Sequence, residues 1–409
     1  MERIKKIYKY IIYKIGYDVI GSSFKRYLCV YSCYMIASLL STTFFNVFLL
    51  KALESTDALA WYNLLLACFQ PVIMVLAIPV LRHISVNACL QTGLMLHAAA
   101  YLWLALTANV TTGTVYIISC IFSAGNAFFF TSYTPQILAY TDDKTRDTAF
   151  GSMGFLSTVA SLTLPIVTGF FISILGNLTG YRIMFAASSA VLTVGILLSL
   201  KLKKVNADKN VPMKQTWFVF RRMLQNRDML VMLIITMLTS VEVSGKAYYS
   251  SVLVYELLQK ESVIGTVTAV GGLVGLLANL VYGKFANFKN RGKVMVYGAL
   301  FTLLATLFLN VFKTSYGYVI YFIVYSFATF FISTPVVTEY MGVLQKDEKL
   351  KNYGAEVHAC REFFYASGRV LGLLPAFFIP ASVNSASAIL IFTVILQLVS
   401  GVMMVRIKK

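Results

Sequence analysis

Two stretches of this 409-residue chain carry ionisable side chains at spacings that can do chemistry. In the first, Glu242 precedes Lys246 by four residues, so both lie on one helix face in the order that favours an ion pair. In the second, His358, Glu362, Tyr365 and Arg369 recur at three- or four-residue steps, with Arg361 beside them, and form one stripe along a helix. Glu362 and Arg369 are two turns apart and share a face, which leaves at least one arginine for another partner. Carboxylates such as Glu242 and Glu362 can take up and release a proton, and His358 has the chemistry of a proton relay. A guanidinium, from Arg361 or Arg369, can grip an anionic group with two parallel hydrogen bonds. The plainer reading of both sets is structural: salt bridges that fix one helix against the next. Both roles can coexist in a protein that changes conformation.

The surroundings of these residues decide what they can be for. Hydrophobic residues make up 58% of the chain and charged residues 13%, whereas soluble domains sit near 45–50% and 25%. That composition excludes an ordinary cytosolic enzyme, a disordered chain and a soluble nucleic-acid binder. Twelve apolar stretches are long enough to cross a bilayer, at about 28–50, 59–81, 86–107, 114–139, 149–176, 181–201, 228–256, 261–283, 293–312, 316–343, 353–379 and 383–405. Glu242 lies fourteen residues past Asp228, about 21 Å along a helix, and so falls well inside the hydrocarbon. A charge at that depth costs several kcal/mol and faces a cavity or a partner. The first six spans hold neutral polar groups instead, among them Asn46, Asn63, Gln70, His97 and Asn126.

Basic residues set the orientation. With both termini in the cytoplasm, 28 of the 35 Lys and Arg fall in inner segments and only Lys51, Arg182, Lys260 and Lys313 in outer ones. This bias obeys the positive-inside rule and accounts for the net charge of +18 without nucleic acid. Residues 1–26 read as an amphipathic cytoplasmic helix, with Ile4, Ile7, Ile11, Ile12, Ile15 and Val19 at helical spacing and lysines interrupting any signal-peptide core. A basic linker at 202–227 divides a six-span bundle at 27–201 from another at 228–409, and Trp217, Phe218, Phe220 and Leu224 beside Arg221 and Arg222 mark a second amphipathic helix within it. The fold expected is therefore an all-α integral membrane protein of the plasma membrane.

The halves look related. Pro135 and Pro335 sit in similar surroundings in spans 4 and 10, and Pro165 and Pro375 in spans 5 and 11. Paired helix irregularities in two halves point to a transporter built from repeats. Gly283-x-x-x-Asn287 followed by Lys289, Arg291, Gly292 and Lys293 after span 8, and Leu164-Pro165 with Gly169 in span 5, complete a pattern that resembles the major facilitator superfamily. The resemblance implies two six-helix bundles around a cavity that opens alternately to each side. The four prolines, with Glu339 and Glu356 near the inner ends of spans 10 and 11, are then expected at gates.

No P-loop, HExxH motif or catalytic triad is found, so direct ATP drive and hydrolysis are not expected. Cys29, Cys33, Cys68, Cys89, Cys120 and Cys360 form no metal-type pair and read as small buried hydrophobes; no metal and no cofactor is expected. The function expected is a monomeric, non-enzymatic secondary transporter in contact with membrane lipids. Glu242, Glu362 and His358 would bind protons, and Lys246, Arg361, Arg369 and Tyr365 would form ion pairs or hold a small-molecule or lipid-like substrate. Aromatic side chains near the charges favour proton-coupled export of an amphipathic solute. An importer of an anionic nutrient is the alternative, with Arg361 and Arg369 as its clamp. A polytopic membrane enzyme or a non-transporting receptor is the reading from another class, and it would concentrate its chemistry at one membrane face.

Overall fold

A computed structural model describes residues 21–107, 109–142, 145–176, 178–205, 214–285, 290–350 and 353–407. Among them the chain is helical without strands: α1 (Ser22–Leu53), α2 (Thr56–His83), α3 (Val86–Leu106), α4 (Thr112–Tyr140), α5 (Arg146–Leu175), α6 (Thr179–Ser199), the short α7 (Lys214–Gln225), α8 (Arg227–Leu257), α9 (Glu261–Phe285), α10 (Arg291–Val311), α11 (Ser315–Lys346), α12 (Gly354–Leu373) and α13 (Val383–Ile407). Apolar residues dominate the long helices, and polar caps set where several begin. Ser55, Ser85, Thr111, Asn226 and Thr314 each accept a backbone N–H from the first turn. Among the described residues, eleven helices are long and apolar enough to cross a membrane. The long helix left out is α12, whose Glu356, Arg361, Glu362 and Arg369 make it the most polar of the set. Leu106, Phe170 and Leu304 stand 76%, 58% and 63% exposed on the outer surface, as expected where lipid replaces water.

The packing repeats. In the first half α1 packs on α5 and α6, α3 on α4 and α6, and α2 on α4; in the second half α8 packs on α12 and α13, α10 on α11 and α13, and α9 on α11. Each pair in one half has its counterpart in the other, six spans on. The halves meet through α5 with α9 and through α2 with α12, which is also a symmetric pair. The relationship read from two proline pairs thus extends to the main helix packings. Pro135, Pro165 and Pro335 lie inside α4, α5 and α11. Pro375 differs from its expected place: α12 stops at Leu373, and Pro375 opens a 3₁₀ turn, Leu374–Phe377. It ends this helix where Pro165 only interrupts its counterpart.

Small residues bring α12 against α8. A Cβ on Gly368 would overlap the Met237 carbonyl and Ser240 Oγ, and one on Gly372 would overlap the Val241 carbonyl and Ser244 Oγ. In that space Ser240 Oγ donates to the Tyr365 carbonyl at 2.7 Å and Ser244 Oγ to the Arg369 carbonyl at 2.8 Å. Close helix approach through glycine and serine is how apolar spans associate without a hydrophobic drive. Here it fixes the register between the two helices that carry the buried charges.

Two segments refine the terminal and linker readings. α1 starts at Ser22, so residues 22–26 of the expected N-terminal surface helix are its first turns; residues 1–20 lie outside the described residues. α7 docks by Val219 and Met223, both fully buried in a cluster with the start of α8, the end of α11 and the start of α12, and leaves Trp217 74% exposed. Arg222 Nε donates to Asp347 at 3.0 Å, and Asn226 reaches the same carboxylate at 3.4 Å. Burial alone would push the Asp347 carboxyl up, but hydrogen bonds from Arg222, the Lys349 amide and Asn226 outweigh it and hold the group below its ordinary value. A depressed carboxyl stabilises docking above its unfolded value, and that contribution is lost as pH falls through the lowered folded value.

Gly368→Val is expected to part α8 from α12 at a cost of roughly 1–3 kcal/mol, read as a lower thermal midpoint in detergent, with Gly342→Val, where a Cβ meets nothing, as the unaffected control. Asp347→Asn is expected to release α7 at neutral pH as acid does for the native chain, with an effect of about 1 kcal/mol or less because Arg222 is 41% exposed. Limited proteolysis within residues 214–225 measures both.

Candidate functional site

Glu242 sits at the middle of α8, 1% exposed. Tyr325 Oη of α11 donates to its Oε2 at 3.3 Å and Gln397 Nε2 of α13 at 3.1 Å, while Oε1 has no hydrogen-bond partner. The ion pair expected between Glu242 and Lys246 does not close. Tyr325 stands between them: the Lys246 ammonium lies 3.5 Å from the centre of its ring and 5.2 Å from that of Phe322. A cation over an aromatic face replaces the direct contact. Spacing along one helix cannot reveal a side chain that arrives from another.

On α12, Arg369 Nη2 donates to Glu362 Oε1 at 2.6 Å, as their two-turn spacing requires. Gln70 of α2 donates to the same oxygen at 3.2 Å, so this carboxylate is shared between the halves. The Arg369 guanidinium also lies 5.1 Å from the Tyr365 ring. Arg361 lies 5.0 Å from the Tyr340 ring, makes no ion pair with a carboxylate among the described residues, and has a buried Nε without a partner. His358 makes no hydrogen bond among those residues.

Glu242, Glu362, Arg361, Tyr365 and Gln397 line one cavity of about 240 Å³. The two charged stretches of the sequence therefore meet at one place, although 119 residues separate the two carboxylates. Lys246 lines a different cavity, of about 310 Å³, between α1 and the second half. Neither His358 nor Arg369 is among the lining residues of these spaces. Glu339 accepts from Arg291 Nη1 at 3.2 Å, tying α11 to the start of α10, and Glu356 is buried in the first turn of α12.

Two groups were not singled out from the sequence. In the first half His97 Nδ1 donates to the Gly93 carbonyl at 2.9 Å, its Nε2 lies 3.1 Å from the Asn126 amide oxygen, and Tyr34 Oη donates to that oxygen at 3.3 Å. They line a neutral cavity of about 200 Å³. Polar residues in apolar spans were visible, but nothing in their spacing joined them. The second group clamps the halves at one end. Lys51 at the end of α1 pairs with Glu261 at the start of α9, and Tyr181 Oη of α6 donates to the same carboxylate at 3.0 Å. Ser262 N donates to Ser173 Oγ at 2.9 Å, and Tyr248 Oη to the Thr56 carbonyl at 3.3 Å. Here α5 and α9 touch backbone to backbone, since a Cβ on Gly265 would overlap the Pro165 carbonyl and one on Gly169 the Glu261 carbonyl. Lys51 had counted only as a loop charge.

Residues 27–355 match the family model described as Major Facilitator Superfamily. A protein of Bacillus subtilis (strain 168), "Uncharacterized protein YqgE", is 26% identical over 91% of this chain and 85% of its own length. Among solved structures, the nucleoside transporter NupG has a TM-score of 0.69 at 13% identity, covering 95% of this chain and all of its own. The POT family transporter PepTSo has a TM-score of 0.76 at 9% identity, covering 94% and 97%. At those identities the structures speak for the fold.

Glu261→Gln is expected to weaken the closed end by about 1 kcal/mol, roughly a fivefold shift toward conformations open there. Labelling of a cysteine placed at Asn46, with and without the substitution, measures it.

Proposed function

The chain belongs to the major facilitator superfamily, and from that premise we propose that it is a proton-linked secondary active transporter that carries a small organic anion by alternating access. Family and fold make it a multi-pass membrane transporter; coupling, substrate and direction are the proposal. The observation that carries it is the cavity that Glu242, at the middle of α8, shares with Glu362 and Arg361 of α12. Carboxylates exchange protons with entering water. Two cations that line cavities, Arg361 and Lys246, lack a carboxylate partner among the described residues, which leaves positive charge for a substrate to neutralise. On this reading twelve spans cross the plasma membrane with both termini cytoplasmic. Bundles at 27–201 and 228–409 rock about the α5–α9 and α2–α12 contacts, and one copy of the chain suffices.

The proton route begins at Glu242. Its free Oε1 accepts the proton, while Tyr325 and Gln397 hold Oε2 and keep the carboxyl aimed at the cavity. Glu362 reports the same event to the other half. Its hydrogen bond from Gln70 crosses the interface, and protonation weakens its hold on Arg369 as well. A charged carrier is costly to reorient through apolar surroundings, so movement is favoured once these groups are neutral or paired. The gating prolines fit the scheme at three places, inside α4, α5 and α11, and Pro375 by ending α12.

A second reading, export of an amphipathic solute in exchange for protons, is favoured by the aromatic lining of the first-half cavity, where Tyr34, Phe45, Tyr62, Tyr101 and Phe122 surround Asn126. Vesicles of both orientations separate the two. Accumulation in right-side-out vesicles under an inward proton gradient supports the anion carrier, and accumulation only in inverted ones supports exchange.

Glu242→Gln is expected to lower gradient-driven accumulation at least about 100-fold while sparing substrate exchange at equal pH, because only the coupled step needs the proton. If both activities survive in Glu242→Gln and Glu362→Gln, proton coupling through these residues is excluded.

A further inference from the structure

Opposite charges four residues apart on one helix ordinarily pair, and at bilayer depth the incentive is large. Glu242 and Lys246 are instead held apart by Tyr325, and each faces its own cavity. Among the described residues, Lys246 is the one charged residue in the lining of the 310 Å³ space. Around it stand neutral groups from both halves: Asn46 and Thr42 of α1, Ser250 of α8, Thr268 of α9 and Phe322 of α11. Asn46 Nδ2 spans the interface to Ser251 Oγ at 3.0 Å. A small ligand with one negative charge, hydrogen-bond acceptors and an apolar remainder matches this lining. Being walled by α1 on one side and by α8, α9 and α11 on the other, it would touch both halves.

We propose that the Lys246 cavity binds a small monocarboxylate, and that Tyr325, which contacts both charges, couples its binding to protonation of Glu242. This deepens the proton-linked reading above and rests on it. In the empty protein the two charges compensate one another across the phenol. An anion docked on the ammonium satisfies Lys246 and leaves the Glu242 carboxylate without its counter-charge. Water in the 240 Å³ cavity then supplies a proton, which bonds to Oε1, the oxygen without a partner. The loaded site carries carboxylate with ammonium and a neutral acid, so empty and loaded forms have the same net charge. By reciprocity, the proton tightens the anion as much as the anion tightens the proton. The other titratable or charged groups that bear on Glu242 are Tyr321 and Tyr325 of α11 and Arg361, Glu362 and Tyr365 of α12; Gln397 from α13 is neutral. Glu362 is already paired with Arg369, so Arg361 keeps its charge on the Glu242 cavity; Lys246→Gln leaves Arg361 in place, so a shift between the two proteins reports Lys246.

The test is an infrared titration of the Glu242 carboxylic-acid band in the solubilised full-length protein, identified by its disappearance in Glu242→Gln, with benzoate as the anion. Lys246→Gln is expected to raise the midpoint by about one pH unit or more, a tenfold change in proton affinity. Lys246→Arg should leave it in place. Benzoate should raise the midpoint in the native protein and in Lys246→Arg, and not in Lys246→Gln. Tyr325→Leu should let Glu242 and Lys246 pair directly, which lowers the midpoint and weakens the benzoate effect. An unmoved midpoint in Lys246→Gln, no response of the native protein to benzoate, or a response that survives in Lys246→Gln overturns the coupling. Should Lys246→Gln fail to fold, the native and Lys246→Arg responses still decide. The titration needs no flux. An unmoved midpoint beside intact gradient-driven uptake removes this link alone, and shifted midpoints without any uptake remove the carrier reading alone.

Discussion

A charge sheltered from water must be compensated by something close to it. That single requirement organises the second half of this molecule. Glu362 has Arg369 and Gln70, and Glu242 has Tyr325 and Gln397. Lys246 has only aromatic faces, and Arg361 a tyrosine ring. The carboxylates are better satisfied by the protein than the cations are, and that imbalance shapes the cavities the cations line. Nearly every partner comes from a different helix, so the compensation also records how α2, α8, α11, α12 and α13 are arranged.

Holding that arrangement falls to small residues. Gly368 and Gly372 let α12 lie on α8 while Ser240 and Ser244 bond its carbonyls. The charged stripe is thereby locked in register with Glu242. Without bulky side chains between them, the two helices pack closely and are bonded to each other at two places. Among the described residues, the cavity of the first half is lined without Asp, Glu, Lys or Arg. His97, Asn126 and Tyr34 form a neutral network, so the two halves share a packing plan while differing in chemistry.

Much of this was legible in the residues. Unbroken apolar runs gave the helices, because nothing but a helix satisfies its own backbone in lipid, and the depth of Glu242 followed from the rise per residue. The pairing of Glu362 with Arg369 followed from their two-turn spacing, and the family from topology together with the motif after span 8. What could not be read depends on which helix faces which. Tyr325 between Glu242 and Lys246, Gln70 on Glu362, and Tyr181 with Lys51 on Glu261 are all contacts across more than 70 residues of chain. Periodicity reports the face a residue occupies on its own helix and carries no information about the neighbour. Pro375 differs from Pro165 for a local reason: a proline near a helix end can stop the helix as readily as bend it.

The crossing of α5 and α9 has a mechanical implication. Where Gly169 and Gly265 lie against the opposite backbone, no rotamer has to change for the surfaces to part. A joint of bare main chain can slide or unzip without the stepwise side-chain repacking that makes most helix interfaces snap between discrete states. The polar bonds at its rim add a salt-sensitive part to the resistance to opening, so ionic strength would bear on how often the joint breathes.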